Sequence, residues 1–242
     1  MKLTCLGVHG PFPPANGATS GYLVSCGDTL IQMDLGSGTL AALTARTAPE
    51  GLTAILLTHW HYDHCCDILP LIYRLEAMAA QGQAALDVYA PVDEKSPVRK
   101  AVQACGAIRL HDIAPGDCLT LGQVTVEVYR ARHPVPAVML RLTGEGRTLC
   151  YTGDTNETAG LDEFAREADV LLADGLFPEP MWTEAKPHLS AQRAARLAAD
   201  AGAKRLIITH LNPTIDPEGL LREARAIRKD AVLAERGATY TV

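Results

Sequence analysis

The sequence predicts an α/β protein, an αββα sandwich in which two stacked mixed β-sheets carry helices on their outer faces, built as one domain over residues 1–242. Three observations predict it. Short strands come first with helices between them, then strands and helices again, with no linker, internal repeat or low-complexity tract. The length of 242 residues and an apolar content of 48% are enough to bury one large core. Histidine and aspartate side chains stand directly after predicted strands, where loops collect on one rim.

In order, Lys2–Val8 alternates and reads as an edge strand, followed by a Pro/Gly loop over His9–Gly17. Thr19–Cys26 and Thr29–Asp34 form a hairpin turning at Gly27-Asp28. The turn Asp34-Leu35-Gly36-Ser37-Gly38 opens a helix through Thr39–Ala45. Thr53–Thr58 is a strand, Asp67–Gln81 a long amphipathic helix, Ala85–Ala90 a strand, Glu94–Cys105 a helix and Ala107–His111 a strand. Two hairpins follow, Cys118–Leu121 with Val124–Arg130, and Pro136–Thr143 with Arg147–Thr152. Asp169–Ala173 is a short buried strand and Phe177–Pro187 a proline-rich loop. Leu189–Ala201 is a helix, Lys204–Thr209 a strand, and Pro217–Arg228 the last helix before short closing strands.

The strand over Thr53–Thr58 runs into Thr58-His59-Trp60-His61-Tyr62-Asp63-His64, four potential metal ligands within six positions. His59 and His61 are two apart, so in an extended segment their rings point the same way. Asp63 and His64 turn in a new direction where the apolar helix begins. Imidazoles and a carboxylate suit zinc, iron or manganese, and splitting them between two directions lets two ions share one motif. The plainer alternative is a capped helix whose histidines are satisfied by ordinary hydrogen bonds. His133, Asp154 and His210 each follow a predicted strand as His59 does. His111 has no partner nearby in sequence and reads as a non-ligand, and His9 reads as a surface residue in the loop that holds Asn16. Cys65 and Cys66 read as small apolar side chains on the first helical turn rather than as ligands.

The net charge of −6, the absence of a basic run and an aromatic content of 5% argue against a general nucleic-acid binder. Seven scattered cysteines without a C-x-x-C pair argue for a reducing, cytoplasmic setting. No apolar run is long enough for a bilayer, and no signal pattern opens the chain. No G-x-S-x-G elbow competes as a nucleophile.

His-x-His-x-Asp-His after a hydrophobic strand resembles the signature of the metallo-β-lactamase-fold hydrolases. The order that follows, a single His, an Asp in a Gly-Asp turn and a late His after a strand, extends the resemblance over about residues 19–214. It implies that His59, His61 and His133 hold one ion, that Asp63, His64 and His210 hold a second, and that Asp154 bridges both. The implied cofactors are two divalent ions, zinc first, with manganese or iron as alternatives. Such a pair acidifies a water and clamps the attacking and leaving oxygens of a displacement. In the family a turn like that at Asp34 braces the metal loop.

Pro187-His188-Leu189-Ser190, 22 residues before His210, resembles a segment of the family's phosphodiesterase branch, which includes ribonuclease Z and small cyclic-phosphate phosphodiesterases. That implies a role for His188 in contacting the phosphate and protonating the leaving oxygen, with a simple helix start as the alternative. Asp63 joins His188 among the implied catalytic residues, and Asp174 is placed to orient His188 or His210. The expected partner is a small or flexible phosphodiester, with a homodimer compatible and no membrane. Ribonuclease Z carries a long arm between the positions of His133 and Asp154, where this chain fits only a compact hairpin, so tRNA 3′ processing is disfavoured. A lactonase or thioester hydrolase and a mononuclear iron sulfur oxygenase are the alternative readings. His61, where redox members carry an acid, favours hydrolysis.

Overall fold

Each half of the chain opens with antiparallel strands and closes with parallel ones joined through helices. The computed structural model describes residues 1–242. The first half contains β1 (Lys2–Gly7), β2 (Gly21–Cys26), β3 (Thr29–Met33), α1 (Thr39–Thr44), β4 (Ala54–Leu56), α2 (Tyr62–Cys65), α3 (Ile68–Ala79), β5 (Leu86–Pro91), α4 (Pro97–Ala104) and β6 (Ile108–Ile113). The second contains β7 (Cys118–Leu121), β8 (Val124–Arg130), β9 (Val138–Gly144), β10 (Arg147–Tyr151), α5 (Leu161–Ala165), β11 (Val170–Asp174), α6 (Ala191–Asp200), β12 (Leu206–Thr209), α7 (Pro217–Arg225) and β13 (Val232–Leu233). A last strand, β14 (Thr239–Thr241), returns to the first sheet. The two seven-stranded mixed sheets have the orders β14-β1-β2-β3-β4-β5-β6 and β13-β12-β11-β10-β9-β8-β7. This is the predicted αββα sandwich. No helix is long and apolar enough to cross a membrane.

Alternation along the strands decides which layer each side chain joins. Tyr22, Val24, Ile31, Met33 and Leu56 face inward and pack with Val126, Val128, Leu140, Leu142 and Tyr151 in the larger core of 48 buried residues. Their neighbours Leu23, Ile55 and Leu57 point the other way, into a separate cluster of 20 with Ile68, Leu71 and Leu75 of α3 and Val98 and Val102 of α4. On the second sheet the alanine face of α6 (Ala191, Ala194, Ala195, Ala198) lies flat in the larger core, which lets helix and sheet approach closely.

Two expectations are corrected. β1 is not an edge strand, because Lys2–Thr4 pair with Thr239–Thr241 of β14 on the side away from β2. A short helix, α5, occupies Leu161–Ala165, where none was anticipated. It buries Leu161, Phe164 and Ala165, too few turns to display a helical period.

β4 runs parallel to β3 and β5. In the other sheet β10, β11 and β12 run parallel, and β8 shares their direction because β9 is antiparallel to both β8 and β10. The carboxyl ends of β8, β10, β11 and β12 therefore open on one rim, the usual place for ligands in such sheets.

Candidate metal centre

The motif is fixed by backbone before its side chains are considered. Asp34, at φ 51° just after β3, accepts hydrogen bonds from the Thr58 amide at 2.8 Å and the Thr58 hydroxyl at 2.9 Å. Leu35 donates to the His64 carbonyl at 2.6 Å and Ser20 to the Asp63 carbonyl at 3.1 Å. Gly36 must be glycine here, since a Cβ would lie 1.9 Å from the Asp63 carbonyl oxygen. The Asp34 turn thus braces the motif, as the resemblance implied. His59 and His61 leave β4 with ring centroids 4.7 Å apart, and α2 then rotates Asp63 and His64 toward a second direction.

The other sheet supplies the facing groups. His133 follows β8 and donates through Nδ1 to the Pro187 carbonyl at 3.2 Å, which leaves Nε2 with a free lone pair. Asp154 follows β10 across Gly153, whose φ of 52° and 2.9 Å approach to the Thr58 side chain admit no Cβ. His210 follows β12 in the left-handed region at φ 58°, a strained conformation that aims its ring at the site. Gly10 closes over that ring, and a Cβ there would sit 1.9 Å from His210 Nε2.

These side chains converge in two groups that share Asp154, namely His59, His61, His133 and Asp154, and Asp63, His64, Asp154 and His210. In the first, His61 Nδ1 lies 3.0 Å from both His59 Nε2 and His133 Nε2. Asp154 Oδ2 stands 3.6 Å from His59 Nε2 and 3.9 Å from His133 Nε2. In the second, Asp154 Oδ1 is 3.1 Å from His64 Nε2 and 3.4 Å from His210 Nε2, and Asp63 Oδ2 is 3.1 Å from His210 Nε2. One carboxylate thus turns an oxygen to each group.

Burial drives the His59 and His61 imidazoles below their ordinary range and pushes His133 down to about 4. The three imidazoles of the first group are therefore neutral donors. His64 differs: burial opposes its charge, but Asp154, Asp63 and Asp34 lift it well above the usual value. Burial pushes Asp154 and Asp63 upward, yet the surrounding histidines hold both below the ordinary carboxylate range.

The residues fit metal ions. His64 Nε2 and Asp154 Oδ1 lie buried 3.1 Å apart with no well-directed hydrogen bond to any group, so without an ion only their opposite charges hold them together. In the first group two imidazole nitrogens each lie 3.0 Å from His61 Nδ1, and the three have too few protons to satisfy one another. A borderline cation accepts such a donor set. Asp34 also accepts from His64 Nδ1 at 2.8 Å, which fixes the tautomer that turns Nε2 inward.

His188 lies beside these groups and is buried at 8% exposure. Its Nδ1 is 2.8 Å from Asp174 Oδ2 and its ring stacks on His210 at 4.9 Å. Burial opposes its charge, but Asp174 and Asp154 push it up to about 9. Asp174 pairs with His188 and not His210, whose Nδ1 is 3.8 Å away. His188 does not start α6, since Ser190 is the N-cap and accepts from Arg193 N at 3.1 Å.

Outside the groups, His9 is half-buried with Nδ1 near the Ala18 carbonyl, rather than on the surface as expected. Asn16 gives its carbonyl to Arg236. His111 belongs to neither group; its partner comes from the neighbouring strand β5, where Asp87 meets its Nε2 at 2.7 Å and Tyr89 stacks on its ring. Cys65 is core and Cys66 contacts Asp67. Sequence reasoning missed Tyr151, whose hydroxyl donates to Asp34 at 2.8 Å, and Asn156, whose Nδ2 donates to the Lys186 carbonyl at 2.6 Å and pins the loop before His188. The position of Asn156 directly after the Gly-Asp-Thr turn was the available signal.

A two-sheet sandwich with paired His/Asp groups on its carboxyl rim has the architecture of a metal-dependent enzyme. Residues 23–211 match the beta-lactamase superfamily domain, and the chain belongs to that family as a metallo-hydrolase. It is 31% identical to the probable metallo-hydrolase YhfI of Bacillus subtilis, over 94% of this chain and 93% of that protein. The crystal structure of YhfI superposes with a TM-score of 0.91 at 30% identity, covering 99% and 98% of the two chains. Ribonuclease Z of Methanosarcina mazei is 25% identical over 97% of this chain and 96% of its own. A diphosphatase of the PhnP family shares the fold with a TM-score of 0.75 at 19% identity, over 99% and 96% of the two chains. The family implies divalent metal binding, and the His/Asp cluster is where this chain offers it.

Proposed function

We propose that the protein is a phosphodiesterase that uses two divalent ions, zinc first and manganese or iron as alternatives, on a small or flexible phosphodiester. The Asp174–His188 pair carries the reading: a buried imidazole, 2.8 Å from its carboxylate, adjoins the metal-binding groups without belonging to the motif. In this reading His59, His61 and His133 hold one ion, Asp63, His64 and His210 the other, and Asp154 serves both. Bound there, the ions supply an acidified water and a Lewis-acid clamp for the oxygens of the displacement. Asp174 Oδ2 accepts the Nδ1 proton of His188, so His188 gives a proton from Nε2 to the leaving oxygen. His210 at 4.9 Å and Phe177 at 5.9 Å hold the ring plane. The His133 bond to Pro187 ties the acid's loop to the first group.

A cleft of about 470 Å³ lined by Val92, Ile113, Pro115, Val135 and Val138 also reaches His133 and suits an apolar part of the substrate. The names of two relatives, a ribonuclease and a diphosphatase, support chemistry at phosphorus. The match to the archaeal ribonuclease Z extends over 294 positions against the 242 residues here, so that enzyme carries segments without counterpart in this chain. The β9–β10 hairpin occupies the stretch between His133 and Asp154. Cleavage of precursor tRNA is accordingly expected to be weak beside that of small phosphodiesters. The free cysteines, most of them buried, are in keeping with a reducing cytoplasm.

His188→Ala tests the reading. Elemental analysis should find the metal content unchanged, because no ligand is removed. The kcat for phosphodiesters with alkyl leaving groups should fall roughly 10²–10⁴-fold, the worth of a positioned acid, and less for p-nitrophenol, which scarcely needs a proton. Rates within a few-fold of wild type on both substrates would refute His188 as the acid and leave the phosphodiesterase reading resting on the metal groups alone.

A further inference from the structure

Two cations stand at the mouth of the site without a carboxylate partner. Lys186 Nζ lies 4.9 Å from the centre of the Phe177 ring, which itself lies 5.9 Å from His188. The Arg132 guanidinium donates only to peptide oxygens, those of Glu157 at 3.3 Å and Glu184 at 2.9 Å, so its charge is not neutralised. Both residues are fixed at the backbone. The Lys186 amide donates to Thr183 O at 3.0 Å and its carbonyl accepts from Asn156 at 2.6 Å, while the Arg132 amide donates to the Thr155 hydroxyl at 2.9 Å. Between them a cleft of about 190 Å³ is lined by Arg132, His133, Pro134, Glu184, Lys186 and Pro187, with the exposed Glu184 as its one acid. Several other basic groups of this acidic chain, such as Arg74, Arg99, Arg193 and Arg228, are paired with carboxylates. Unpaired cations on a rim that shares His133 with the metal groups are placed to meet negative charge arriving with the substrate.

We propose that Lys186, with Arg132 beside it, binds a second anionic group of the substrate, a terminal phosphate or carboxylate carried next to the scissile phosphodiester. The identity of the first group rests on the phosphodiesterase reading; the anion rim does not. Calorimetric titration of the metal-loaded protein with methylphosphonate, 4-phosphonobutyrate and propane-1,3-diphosphonate tests it. Wild type should prefer a doubly anionic ligand over methylphosphonate by roughly tenfold, about 1.4 kcal/mol, with the bisphosphonate and the phosphonocarboxylate distinguishing phosphate from carboxylate. The preference should shrink with salt, since the rim is open to solvent. Lys186→Glu should abolish it and Lys186→Gln reduce it, with unchanged metal content by elemental analysis. No preference in wild type, a preference kept in Lys186→Glu, or an equal weakening of all three ligands overturns the proposal. Turnover of bis-p-nitrophenyl phosphate by wild type reports separately on the phosphodiesterase reading: its absence beside an intact preference sinks that reading and leaves the rim standing.

Discussion

Asp34 shows how much of the site hangs on a residue that touches no substrate. Its buried carboxylate gathers the Thr58 amide and hydroxyl, His64 Nδ1 and the Tyr151 hydroxyl, all at 2.8–2.9 Å. These partners join the end of β3, the motif and the facing sheet. Asp34→Ala leaves buried donors without an acceptor and should cost about 3–5 kcal/mol. Asp34→Asn keeps the shape but frees the His64 tautomer, and metal affinity by chelator competition should fall about 10–100-fold. An affinity equal to wild type would remove Asp34 from its positioning role. Asp154→Ala takes an oxygen from both groups at once and should lose most bound metal by elemental analysis; retention of both ions would exclude the bridging role. The bracing part of Asp34 was legible in its turn sequence, because the contacts with the motif follow from chain order. The Tyr151 bond, across a sequence separation of 117, was not, since nothing local in a strand tyrosine names its partner.

At the scale of elements, the end of the sandwich away from the site is tied as deliberately as the rim. Asp169, just before β11, accepts from Thr148 N at 2.8 Å, from Arg147 at 2.9 Å and from Lys204 at 2.9 Å, and so joins the starts of three parallel strands. Burial works against its charge, but Lys204, the Thr148 amide and Arg147 hold it down to about 2. A folded value below the unfolded one of about 3.9 means that the unfolded chain takes up the proton first on acidification. The stabilisation is therefore fully present above about pH 4 and is lost as pH falls toward 2. With exposed partners discounted, Asp169→Asn should cost about 1–2 kcal/mol at pH 6 by urea unfolding of the metal-free protein. That difference should vanish near pH 2; one that persists there would show a role other than charge. Element boundaries read from sequence generally ran a residue or two past the observed ends, as with Asp67–Gln81 against Ile68–Ala79, because strands and helices fray into turns that composition does not mark. The edge position of β1 was misread for a different reason: β14 is only three residues long and belongs to the far end of the chain, so its pairing with β1 leaves no local trace.

For the molecule as a whole, the metal groups join its two halves. His59, His61, Asp63 and His64 come from the first sheet, and His133, Asp154 and His210 from the second. Each group contains members of both, so ions held there crosslink the sandwich at its rim. Without an ion the site is costly, because neutral imidazoles crowd at 3.0 Å and a buried carboxylate oxygen lacks a partner. An ion that binds the native pocket and not the unfolded chain stabilises by mass action, about 2.7 kcal/mol at a hundred times Kd. For a chain of this size that corresponds to roughly 5–10 °C in Tm for each ion, so roughly 10–20 °C for two. Treatment with a chelator should lower Tm by that amount, and zinc titrated back should restore it with a stoichiometry near two per chain. His133→Ala and His210→Ala each remove a second-sheet ligand from a different group, so each should bind about one ion fewer and respond to the chelator about half as strongly. A Tm indifferent to the chelator would show that the two sheets hold together through their 48-residue core alone, and a full complement of ions in both variants would exclude His133 and His210 as ligands.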